Sequence, residues 1–95
     1  MSGKPIKYRV KIKSASFDLA NFKVGQELWG TTSIPNDSSG NGWSMVLIRN
    51  GEDTYVISFL MPSAPAGNLK EGDTVALYRG AQRMVEVGFV GVIDD

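Results

Sequence analysis

Six carboxylates fall in three close pairs along the chain: Glu52 with Asp53, Glu71 with Asp73, and Asp94 with Asp95. Paired acids can divide general acid and base duties or hold a hard cation, provided that burial or a neighbour displaces one of them from its ordinary titration range. All three pairs lie where turns and termini leave charge in water, so they read as solvated turn residues. The chain has no cysteine and no histidine. Thiolate nucleophiles, disulfides, zinc–sulfur sites and imidazole bases are therefore excluded. The glycine stretch "SGNG" has neither the spacing nor the Lys-Ser/Thr of a phosphate loop. "NDS" at Asn36–Ser38 matches a glycosylation sequon only formally, without a secretion signal. The expectation is a non-catalytic protein with no metal and no cofactor.

Two other constellations have chemistry suited to binding. In "IKYRVKIK" every second residue is a cation, and Lys7, Arg9, Lys11 and Lys13 stand about 6.5–7 Å apart along one face of an extended strand. Such a row can track the phosphates of a single-stranded nucleic acid. The plainer reading is the wet side of an edge strand, where lysines discourage pairing with another chain. The second constellation is the polar loop Gly30–Gly42, which contains Asn41 and is bounded by Trp29 and Trp43. Two tryptophans flanking such a loop can form an aromatic platform for a partner, or simply close one end of a core.

Patterning along the chain indicates what must position these residues. Alternation over Ile6–Lys13 predicts a half-buried strand, and "SASFDLANFK" is compatible with one helical turn before a second strand near Glu27–Ser33. "NGED" between two β-rich runs predicts a hairpin of Trp43–Arg49 with Thr54–Met61. Both hairpin strands are apolar on both faces. Met45, Leu47, Tyr55, Ile57 and Phe59 point one way, while Val46, Ile48, Val56 and Leu60 point the other. The second face must be covered by the chain itself or by a partner. This makes Val46 and Val56 candidate partner contacts. "DTVALYR", a turn at "GAQ" and "MVEVGFVGVI" supply two further strands, with Gly88 and Gly91 permitting the bends of a small closed barrel.

The chain also resembles itself at an offset of 47 residues. Tyr8–Gly30 laid on Tyr55–Leu77 matches Tyr8 with Tyr55, Ser16 with Ser63, Asn21 with Asn68, Lys23 with Lys70 and Gly25 with Gly72. Each half contains N-[FL]-K-x-G-[QD] before a strand. The glycine suits a left-handed turn position. On these phrases, "NFKVGQEL" and "NLKEGDTV", the sequence resembles the duplicated double-psi and cradle-loop β-barrels, in which two pseudo-symmetric halves interlock. The resemblance implies fold and no site residue.

Ninety-five residues suit one domain, residues 1–95. With 42% hydrophobic and 21% charged residues the chain should be folded and soluble. It lacks an apolar run near the ~18 residues of a membrane span or the length of a secretion signal. A cytoplasmic or virion location is expected, with no membrane partner. Ten Lys and Arg balance ten Asp and Glu, yet residues 1–27 hold six cations (Lys4, Lys7, Arg9, Lys11, Lys13 and Lys23) against Asp18 and Glu27.

The expected fold is an all-β single domain: a closed or partly open barrel of about six strands with internal pseudo-two-fold symmetry, or an OB-like or SH3-like barrel. The expected function is recognition of a protein partner or of a second copy, through Trp29, Asn41, Trp43, Val46 and Val56. The alternative is single-stranded nucleic-acid binding through Lys7, Arg9, Lys11 and Lys13.

Overall fold

The computed structural model describes residues 7–34, 42–61, 64 and 66–93. They form six strands: β1 (Lys7–Ala15), β2 (Glu27–Thr32), β3 (Trp43–Arg49), β4 (Tyr55–Phe59), β5 (Thr74–Arg79) and β6 (Gln82–Ile93). Short 3-10 turns at Leu19–Asn21 and Ala66–Asn68 precede β2 and β5. The strands close into a barrel in the order β1-β4-β3-β2-β5-β6, with every neighbouring pair antiparallel. The expected six-strand barrel and the helical turn before β2 are both present. No helix among the described residues is long and apolar enough to cross a membrane.

The period-two pattern determines which side chains fill the barrel. Tyr8 and Val10 of β1 enter the core with Met45, Leu47, Ile57, Phe59, Val75, Leu77, Val85, Val87 and Phe89. Tyr8 packs edge-on against Phe59 at 6.0 Å and tilted against Phe89 at 5.5 Å. The Asn-Gly signal does mark a hairpin, but residues 50–54 make a wider connection than a two-residue turn, with Asn50 N donating to Thr54 O at 3.1 Å. Arg49 fixes this loop. Its Nε donates to the carbonyls of Gly51 and Glu52 at 3.2 and 3.1 Å, and its Nη1 to Phe22 O at 2.7 Å.

The 47-residue echo is a geometric correspondence. The 3-10 turns coincide at this offset, as do β2 and β5. Gly25 and Gly72 take φ of 90° and 94°, the left-handed region that a Cβ disfavours. Gln26 N donates to Lys23 O at 3.0 Å, and Asp73 N to Lys70 O at 2.9 Å. Gly25 N reaches Arg49 O at 2.7 Å where Gly72 N reaches Phe89 O at 2.9 Å. Here the offset falls to 40: Gly80–Ala81 joins β5 to β6 where the longer stretch 33–42 separates β2 from β3, and the register shift between Leu77 and Tyr78 returns one residue to β6.

Exchanging the halves leaves the strand order unchanged, and each of β1 and β4 lies between two strands of the other half. Two cross-strand pairs, Arg9 with Val56 and Thr31 with Tyr78, join residues 47 apart. They mark where the pseudo-two-fold axis leaves the barrel, on opposite sides of the ring.

Two irregularities in the pairing of β1 with β6, between Arg9 and Val10 and between Ile12 and Ser14, let the long strand β6 bend. Gly91 and Gly88 sit opposite Arg9 and Lys11 at these places, in keeping with the expectation that they allow curvature. The thinnest part of the barrel is the β2–β5 seam, paired only at Thr31 and Tyr78. A Cβ at Gly30 would collide there with the Tyr78 carbonyl oxygen and the Leu77 side chain, so glycine is needed for the closure.

Candidate binding surfaces

At the seam, β2 and β5 bring two aromatic side chains onto the outer face. Thr31 lies directly opposite Tyr78, and Trp29 follows two residues along β2 on the same face. Both rings reach solvent: Trp29 is 49% exposed and Tyr78 37%. Opposed residues on a sheet stand about 5 Å apart and same-face neighbours on a strand about 6.5–7 Å apart, so the two side chains share one patch around Thr31. Trp29 Nε1 donates to Glu27 Oε1 at 3.0 Å, which restricts the indole. Ser44 lies on the other side of Thr31, and Leu60, whose N donates to Ser44 O at 3.1 Å, extends the row with an exposed aliphatic side chain.

The paired-tryptophan platform does not form. Trp43 lies opposite Thr32 and packs against the core, whereas Trp29 lies opposite Val46 and faces out. Because side chains alternate, residues at such different parity point to opposite faces of the sheet. Asn41 lies outside the described residues.

Val46 and Val56, expected as partner contacts, offer little surface of their own. Both face outward and lie outside the core cluster, yet they are only 6% and 1% exposed. Val56 is flanked in register by Arg9 and Ile48, and Val46 faces Trp29. Long side chains on adjoining strands shield short ones between them. The chain itself covers this face.

On the opposite side of the ring, β1 turns Lys7, Arg9 and Lys11 to solvent. It is not an edge strand. It pairs with β6 over its whole length and with β4 over Lys7–Val10, so Lys7 and Arg9 stand where the strand is paired on both sides, while Lys11 and Lys13 lie beyond the β4 pairing. Lys13 departs from the expected row because the irregularity between Ile12 and Ser14 displaces it. Its stem crosses β6 over Gly88, where an added Cβ would lie 2.9 Å from Lys13 Cε, and its Nζ reaches Thr74 Oγ1 at 2.6 Å. Among the described residues the ion pair is Arg83 with Glu86 at 3.7 Å, and none of the described acids pairs with Lys7, Arg9 or Lys11. Beside Arg9 an open depression of about 240 Å³ is lined by Val90, Gly91, Val92 and Ile93.

The acidic residues do not converge. Glu52 and Asp53 are exposed in the hairpin loop, Glu71 is exposed, and Asp73 Oδ2 accepts from Lys70 N at 2.9 Å as a turn cap. Asp94 and Asp95 lie outside the described residues. Among the described residues no three acidic side chains come together as a metal site.

Sequence reasoning missed Tyr78 and favoured hairpin positions that the fold leaves little exposed. The signal for Tyr78 was present: in "TVALYR" the alternation puts Val75 and Leu77 inward and leaves Tyr78 outside. The fold defines a six-stranded antiparallel closed barrel with two exposed faces of different chemistry. Compared with known families, characterised proteins and solved structures, the chain matches none.

Proposed function

We propose that the protein is a non-catalytic recognition module that meets a protein surface, in its simplest form a second copy of itself, through Trp29 and Tyr78. The observation that carries this reading is the exposed aromatic pair around Thr31, with the indole already restrained by Glu27. Tryptophan and tyrosine are the side chains that most often dominate protein contacts, because they bury large area while ordering few torsions. Restraint before contact lowers the entropy lost on binding.

Light scattering on a dilution series tests it. At about 100 μM the expected mass exceeds that of one chain, 10.3 kDa, and Trp29→Glu returns it to one chain without changing the circular dichroism. A wild-type mass of one chain at every concentration would overturn self-recognition.

A further inference from the structure

We infer that the outward side of β1, together with the glycine-bearing part of β6 beside it, is a track for single-stranded nucleic acid, separate from the aromatic pair on the other side of the barrel. Charge is the first support. Lys7, Arg9 and Lys11 stand in one line on one strand face, and no acidic side chain among the described residues pairs with them. Along the described part of β6 the acid is Glu86, which lies opposite Ser14 and is already engaged by Arg83. A row of cations about 6.5–7 Å apart advances by the order of one nucleotide per cation.

Relief on the β6 side is the second support. Arg9 lies opposite Gly91, and a Cβ there would meet nothing within 4 Å. On the β6 side no side chain stands opposite Arg9 to close the depression. Ile93, opposite Lys7 on the same face and lining the depression, provides an apolar flank. A guanidinium plane beside an apolar wall can stack on a base, while Lys7 and Lys11 hold the phosphates on either side. Lys13 is excluded from this track because it is turned away to Thr74.

The geometry selects a single strand over a duplex. The cations form one line, not two lines separated by a groove, and an unpaired strand can turn a base into the Arg9 depression.

The test is fluorescence anisotropy of a labelled twelve-nucleotide oligothymidylate titrated with the full chain at 20 and 200 mM salt. Three phosphate contacts on a single strand predict a log–log slope of about −2, a loss of roughly 100-fold over this range. Lys7→Gln, Arg9→Gln and Lys11→Gln combined abolish the binding, whereas Lys13→Gln and Trp29→Glu leave it within about twofold. The uncharged glutamines keep the hydrophilic surface of β1, and circular dichroism confirms the fold of each variant. The inference is overturned by absence of binding at 20 mM salt or by binding that the triple variant retains. It is also overturned by tighter binding of the matching duplex, or by association with vesicles containing phosphatidylserine but not with the oligonucleotide. Loss of binding in Trp29→Glu would place the track elsewhere and overturn this assignment too. Self-association is read separately by mass, so either proposal can fail without the other.

Discussion

Tyr8 is the residue at which burial has a measurable electrostatic consequence. Its ring lies between Phe59 and Phe89, and burial raises its phenol above the ordinary value of 10.0 because the phenolate loses hydration there. The folded state therefore holds this proton more tightly than the unfolded chain does. The corresponding stability is fully present below about pH 10, the unfolded value, and is lost as pH rises through the higher folded value. Tyr8→Phe removes this contribution. Urea midpoints of the two proteins measured from pH 8 to pH 11 should diverge only above about pH 10, with the wild type losing more. Parallel curves over the whole range would mean that Tyr8 titrates as it does in water.

At the scale of elements, the same turn is built twice, and its glycines bear the conformational load. Gly25 and Gly72 hold φ of 90° and 94°, where an L side chain costs about 1–2 kcal/mol. Open space surrounds both Cβ positions, so the cost at each is conformational and not steric. Gly72→Ala should lower the melting temperature by about 4–16 °C, taking ~4–8 °C per kcal/mol for a domain of this size, and Gly25→Ala should act similarly. Calorimetry on the two single variants checks this, and an unchanged melting temperature in both would contradict the strained-turn assignment.

These turns were also the most legible part of the sequence. N-[FL]-K-x-G-[QD] before a strand has a local cause, the left-handed glycine, and local causes survive in sequence. Strand alternation was legible for the same reason, and it placed Met45, Leu47, Ile57 and Phe59 in the core. What the sequence left hidden was lateral. Whether Val56 is exposed depends on Arg9 and Ile48 standing beside it, and these come from strands far apart in the chain. Whether β1 is an edge depends on β6, which follows it by some seventy residues. Trp29 and Trp43 bound one loop, but their parity on different strands put them on opposite faces.

For the whole molecule, the backbone obeys a two-fold relation that the surface breaks. Thr31 and Tyr78 are equivalent positions facing each other across the axis, yet only one is aromatic; the counterpart of Trp29 is Ala76. At the other exit of the axis Arg9 faces Val56, and the counterpart of Lys11 is Ser58. A pseudo-symmetric barrel thus presents an aromatic patch at one pole and a cationic strand at the other. The division of labour requires that charge reversal at Lys7 and Arg9 leave the self-associated mass unchanged. A coupled loss would mean that the two poles act as one interface.

The aromatic pole is the central element, and Trp29 reports on it directly. In nitrogen–proton correlation spectra the two indole Nε1–H groups give separate signals, and Trp43, packed against the core, serves as the internal reference. On raising the concentration from about 10 μM to 1 mM, the account predicts that the Trp29 signal shifts or broadens while that of Trp43 stays in place. An unmoved Trp29 signal over that range, with its 49% exposure still open to a soluble quencher, would contradict it.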